Sequence, residues 1–109
     1  MAEHDYDAAF NYLSLKLDKK RATDAVARMK KAKLTSRRAN DILRATGLPA
    51  MPLTDPGVKK DLLKLLSGEK LSPVLVFDQE PNPDIADGYH RVSLAYNIDP
   101  FLMVPLRLG

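Results

Sequence analysis

The segment Ile85-Ala-Asp-Gly-Tyr-His-Arg91 holds the residues best suited to chemistry in this chain of 109 residues. It reads as a strand running through a glycine directly into the first turn of a helix, and three anion-binding features coincide there. Gly88 permits a tight turn and close backbone approach. The unpaired N–H groups of a first helical turn present donors together with the positive end of the helix dipole, and His90 and Arg91 add side-chain donors in the same turn. Arg91 can also hold two oxygens of one phosphate in fork geometry, which a lysine cannot. Gly88, Tyr89, His90 and Arg91 are therefore the candidate phosphate-binding residues, Tyr89 and His90 contributing backbone N–H groups. In the competing reading Arg91 pairs with Asp87 or Asp99, His90 is a capped or solvent-facing histidine, and Gly88 merely turns the chain.

Other chemistry is more limited. Asp87 and Asp84, with Asp78 and Glu80 upstream, are candidate ligands for Mg²⁺ bound beside phosphates, since that ion commonly takes one or two carboxylates and keeps several waters. Acids at such positions are more often turn formers and caps. The absence of cysteine excludes disulfides, thiolate catalysis and sulfur-ligated metals, and His4 and His90 alone are too few for a multi-histidine site. The net charge of +3 hides an asymmetry: residues 16–44 sum to +8 and the remainder to −5. Within the basic segment Lys30, Lys31, Lys33, Arg37 and Arg38 flank Thr35-Ser36, a layout compatible with a short helix-turn-helix that docks on nucleic acid or an acidic protein. The ordinary role of such residues is to solvate helix faces, and no aromatic residue lies there to stack on bases.

The elements that would position these residues follow from periodicity. Tyr6, Phe10, Leu13 and Leu17 behind Asp5 predict an amphipathic helix over 6–17 with Asp5 as its cap. Tyr6, Phe10 and Tyr12 are expected as core or homodimer contacts. Ala22, Ala25, Val26, Met29 and Ala32 form the stripe of a second helix, and Thr35-Ser36 would cap a third that carries Ala39, Ile42 and Leu43 and ends at Gly47. The prolines of 48–55 exclude a helix there. Asp55-Pro56 starts a fourth helix, with Val58, Leu62, Leu65 and Leu66 as its expected buried face and Gly68 as its end. Pro73–Phe77 and Ile85-Ala86 predict a hairpin, His90–Asn97 a helix stopped by Asp99-Pro100, and Met103–Leu108 a last strand with proline at an edge or strand start. One α+β domain is expected over 1–109, with a helical extension over 1–47 and the α+β part over 48–109. No apolar run approaches the ~20 residues of a membrane span, and the acidic first ten residues do not resemble a signal peptide. The expected compartment is the cytoplasm.

From Val58 to Leu108 the layout resembles the ParB and sulfiredoxin-like fold. A helix leads through Gly68-Glu-Lys-Leu-Ser-Pro-Val-Leu-Val76 into a strand, then come a second strand, Gly-x-x-Arg, a helix and a closing strand with Val104-Pro105. In ParB proteins the corresponding element is Gly-Glu-Arg-Arg and in sulfiredoxins Gly-Cys-His-Arg, and both hold nucleotide phosphates at the helix start. Gly88-Tyr89-His90-Arg91 is nearest the sulfiredoxin form. The string Ala86 to Val92 also looks like that of a group of small uncharacterised bacterial proteins carrying Ala-Asp-Gly-Tyr-His-Arg-Val. Tyr89 stands where sulfiredoxin has its nucleophilic cysteine, and without any thiol the sulfinic-acid chemistry is excluded. Tyr89 also replaces the ParB glutamate, so nucleotide hydrolysis of that type would need Asp87 to supply the carboxylate. No ParB Pro-Arg box precedes Asp55-Pro56, and chromosome partitioning as such is not expected. The resemblance implies a phosphate- or nucleotide-binding module, with a nucleotide and Mg²⁺ as candidate ligands. The alternative is the basic interaction module of residues 16–44.

Overall fold

The structure, a computed structural model, describes residues 2–109. In chain order the elements are α1 (Ala2–Leu13), α2 (Lys19–Lys31), β1 (Thr35–Arg38), α3 (Ala39–Thr46), α4 (Pro56–Leu66), β2 (Val74–Phe77), β3 (Asp84–Asp87), α5 (Tyr89–Ile98) and β4 (Met103–Leu108). The fold is α+β. Its four strands form one mixed sheet in the order β1-β4-β2-β3, with β2 parallel to β4 and both outer pairs antiparallel.

Strand β2, Val-Leu-Val-Phe, explains the layering. Its β-branched and aromatic residues favour a strand, and all four are buried because both faces of the sheet are covered. Val74 and Val76 point into a core with Ile42 and Leu43 of α3, Val92 of α5, and Val104 and Leu106 of β4. Leu75 and Phe77 point the other way, into a core with Ala9 and Leu13 of α1 and Ala22, Ala25 and Met29 of α2. Leu13 and Met29 are completely buried, which is worth roughly 1.5–3 kcal/mol each. Tyr6, Phe10 and Leu17 pack partly buried against the same cluster, as expected for core residues.

The structure departs from expectation at five places. Thr35 and Ser36 do not cap a helix. They belong to the outer strand β1, paired with Leu106 and Pro105, and α3 starts only after Arg38, without a side-chain cap. Residues 1–47 are thus no purely helical extension, since they supply one strand and the helices that cover one sheet face. Helix α1 begins at Ala2 and places Asp5 in its first turn rather than at its cap, and it ends at Leu13, before Leu17. In α4 only Val58 and Asp61 are buried, whereas Leu63, Leu65 and Leu66 are 67%, 43% and 74% exposed. The apolar stripe is real, but this helix lies at the periphery against α5, and an acid occupies its inward position. Finally β4 is an inner strand. Pro105 stands opposite Ser36, one residue before the pairing with β2 begins at Leu106, where a missing N–H is tolerated.

Helix ends expected from sequence are present at Gly47, whose left-handed φ of 71° accompanies a Leu48 N–H bond back to the Leu43 carbonyl, and at Asp55-Pro56. No helix among the described residues is long and apolar enough to cross a membrane.

Candidate functional site

At the end of β3 the chain turns through Gly88, with φ 106° and ψ 16°, straight into α5. A side chain is strained at that φ, and a Cβ there would come within 2.8 Å of Arg91 Nη2 and 3.1 Å of Val74 Cγ2. The arginine therefore folds back over the turn, and only glycine lets it do so. Gly88 provides no side-chain cap, and its carbonyl accepts from the Val92 N–H at 3.1 Å. No side chain among the described residues caps the N–H donors of this first turn.

One row of α5 is committed to the fold. Tyr89, Ser93 and Asn97 follow each other at four-residue spacing and hold the proline-containing segment 48–55. The Tyr89 hydroxyl donates to the Pro49 carbonyl, the fully buried Ser93 hydroxyl accepts from the Met51 N–H at 3.0 Å, and Asn97 Nδ2 donates to the Met51 carbonyl at 2.8 Å. The Tyr89 side chain is thereby engaged, and only its backbone N–H is left at the turn.

His90 and Arg91 face the opposite side, where α4 starts and α1 passes. The Asp55 carboxylate caps α4 by accepting from the Gly57 and Val58 N–H groups at 2.9 and 3.1 Å. His90 lies over Gly57, where a Cβ would meet its ring at 2.4 Å, and its Nε2 is 3.4 Å from Asp55 Oδ2. Arg91 is more enclosed. Its Nη2 donates to Asp87 Oδ2 at 2.7 Å and lies 3.8 Å from Asp5 Oδ2, the three side chains being only 15%, 21% and 16% exposed. Of the two partners considered for Arg91, Asp87 is the one it has; Asp99 instead accepts from the Phe101 N–H. Arg91 Nε and Asp5 Oδ2 remain buried without a hydrogen-bond partner among the described residues. Burial raises the Asp87 pKa above its ordinary 3.8, outweighing the Arg91 contacts that pull it down, and the charge of Asp5 acts in the same direction as burial.

Asp87, Gly88, His90 and Arg91 border a cleft of about 300 Å³ between the starts of α4 and α5, which Gly57, Lys60, Asp61 and Lys64 line from the α4 side. A second, adjoining hollow of about 370 Å³ shares Asp61, Lys64 and Arg91 with the first and extends toward Asp5, Lys70 and Ser72. Sequence reasoning missed Lys60, Asp61, Lys64 and Asp5. Asp61 was the legible one, because it interrupts the Val58–Leu62–Leu65 stripe three residues after Val58.

The remaining candidates lie elsewhere. Asp84 sits at the far end of β3, where it accepts from the Tyr12 hydroxyl at 2.5 Å and from Lys16 Nζ at 2.7 Å. Burial, and secondarily Asp84, pushes the Tyr12 pKa up to about 12. Asp84 and Asp87 are thus not brought together, and no group of three potential Asp, Glu or His metal ligands exists among the described residues. The helix-turn-helix arrangement is also absent, because a paired strand separates α2 from α3. Lys30 lies over the Tyr6 ring, Lys31 ends α2, and Lys33 is exposed in the following link. On β1, Arg37 bonds to the Ser36 carbonyl, whereas Arg38 pairs with Asp41 at 2.8 Å and stacks over Phe101. No protein-family model, curated protein or solved structure matches the chain significantly, so its chemistry is read from its own residues.

Proposed function

We propose that this chain is a phosphate- or nucleotide-binding module built on a ParB and sulfiredoxin-like arrangement, without the thiol chemistry of sulfiredoxins. The observation that carries the reading is the uncapped start of α5 opening on a cleft lined by Lys60, Lys64, His90 and Arg91. Backbone donors at a helix start favour an anion, and the lysine side chains add charge where it is needed. The Gly88-Tyr89-His90-Arg91 element, with its strand before and helix after, supports the same reading by resemblance. The Asp87 contact does not remove Arg91 from the site: it fixes the guanidinium over Gly88 with Nε still unpaired.

Thermal denaturation with ATP, ADP, CTP and inorganic phosphate, each with and without Mg²⁺, tests the proposal. A nucleotide at a hundred times its Kd adds about 2.7 kcal/mol, which for a domain of this size raises Tm by roughly 10 °C or more. Replacing Lys60 and Lys64, both exposed, by glutamine is expected to reduce that shift without unfolding the protein. Absence of any shift at millimolar nucleotide, or a full shift in the double variant, would overturn it.

A further inference from the structure

Asp61 is 9% exposed, and no hydrogen bond or ion pair from the described residues reaches its carboxylate, although Lys60 and Lys64 are near it in sequence. It borders both the cleft at the start of α5 and the adjoining hollow. An anion alone gains nothing from that carboxylate and is repelled by it. The fully buried atoms left without a partner are Asp5 Oδ2 and Arg91 Nε and not the Asp61 oxygens, so this carboxylate is reached from the cleft, where a charged donor is its strongest partner. The cleft therefore offers two kinds of recognition at once: backbone N–H groups and lysines for an anion, and an unpaired acid for a cation.

Resting on the phosphate-binding reading, we propose that the cleft takes a small phosphorylated amine, its phosphate at the start of α5 and its ammonium group on Asp61. The cleft volume of about 300 Å³ is at the small end for ligand sites, which suits a compact zwitterion. Asp61 then serves as a specificity determinant: it rewards the ammonium and penalises a phosphate ester of the same size that lacks it.

Titration calorimetry on the full chain with a matched pair of probes, O-phosphoethanolamine and ethyl phosphate, tests this at pH 7. Phosphoethanolamine is expected to bind roughly tenfold more tightly or better, as one charge-assisted contact allows. Asp61→Asn should erase the difference by weakening phosphoethanolamine, while ethyl phosphate binds as well as before or better. Equal affinities in the natural protein, or a preference that survives Asp61→Asn, would overturn the proposal and leave phosphate binding intact. If neither probe binds while a nucleotide still raises Tm, this inference falls and the phosphate-binding reading stands; if no nucleotide raises Tm either, both fall. The comparison in the natural protein is decisive even if Asp61→Asn does not fold.

Discussion

Helices α4 and α5 start on the same cleft, Gly57 of one lying under the His90 ring of the other, yet their first turns are completed in opposite ways. Asp55 and Pro56 finish α4 from within the chain: the carboxylate takes two of the free N–H groups, and the proline occupies a position that needs no donor. At α5 the cap is Gly88, which has no side chain to accept with, and the nearest side chain over the turn is a cation. A start capped by its own acid contributes stability. A start left with glycine and arginine gives up only a few tenths of a kcal/mol relative to a side-chain cap, and keeps its donors available. The difference separates a helix end closed by its own chain from one left open to the proposed ligand, although both have the same backbone chemistry.

The contrast can be broken most severely at Gly88. Gly88→Ala forces a side chain into a left-handed conformation and against Arg91 and Val74, so a loss of about 2–3 kcal/mol is expected in urea denaturation, together with loss of any nucleotide-induced Tm shift. Asp55→Ala, at the other start, should cost about 1 kcal/mol in the same measurement and leave phosphate binding at α5 in place. A third measurement sharpens the electrostatics. Because the folded-state pKa of Asp87 is raised, its contribution to stability is fully present below its ordinary 3.8 and is lost as pH rises through the raised value. The stability difference between the natural protein and Asp87→Asn should therefore vary with pH across that window and level off above it. The smallest effect is expected from Gly57→Ala. Its backbone is not left-handed, and the nearest atoms to the added Cβ are those of the half-exposed His90 ring, which can move, so stability should stay within about 0.5 kcal/mol while the His90 resonances shift in NMR spectra.

What could be read from sequence was what local chemistry dictates. Pro73–Phe77 has the β-branched and aromatic residues of a buried strand, Asp55-Pro56 and Gly47 carry a helix start and a helix stop in their own side chains or lack of them, and the strand-to-helix turn at Gly88 needs glycine whatever surrounds it. The candidate phosphate-binding residues were legible for the same reason, since Gly88 through Arg91 are consecutive. Thr35-Ser36 misled because cap residues and strand residues overlap in type, and the presence of β4 alongside decided between them.

The sequence by itself therefore determined the α+β class, most element positions and the glycine turn that starts α5 without a side-chain cap, because propensity, capping and turn geometry act over a few neighbouring residues. Only the tertiary structure decided that Asp5, 82 residues before Asp87, meets Arg91 beside it, that His90 turns toward α4, and that Asp61 is buried facing the cleft. It also decided that Asp84 belongs to Tyr12 and Lys16 instead of to Asp87. These outcomes depend on which helix face the sheet and α5 cover, and that is fixed by packing between segments far apart in the chain, where charge and spacing along the sequence carry no information.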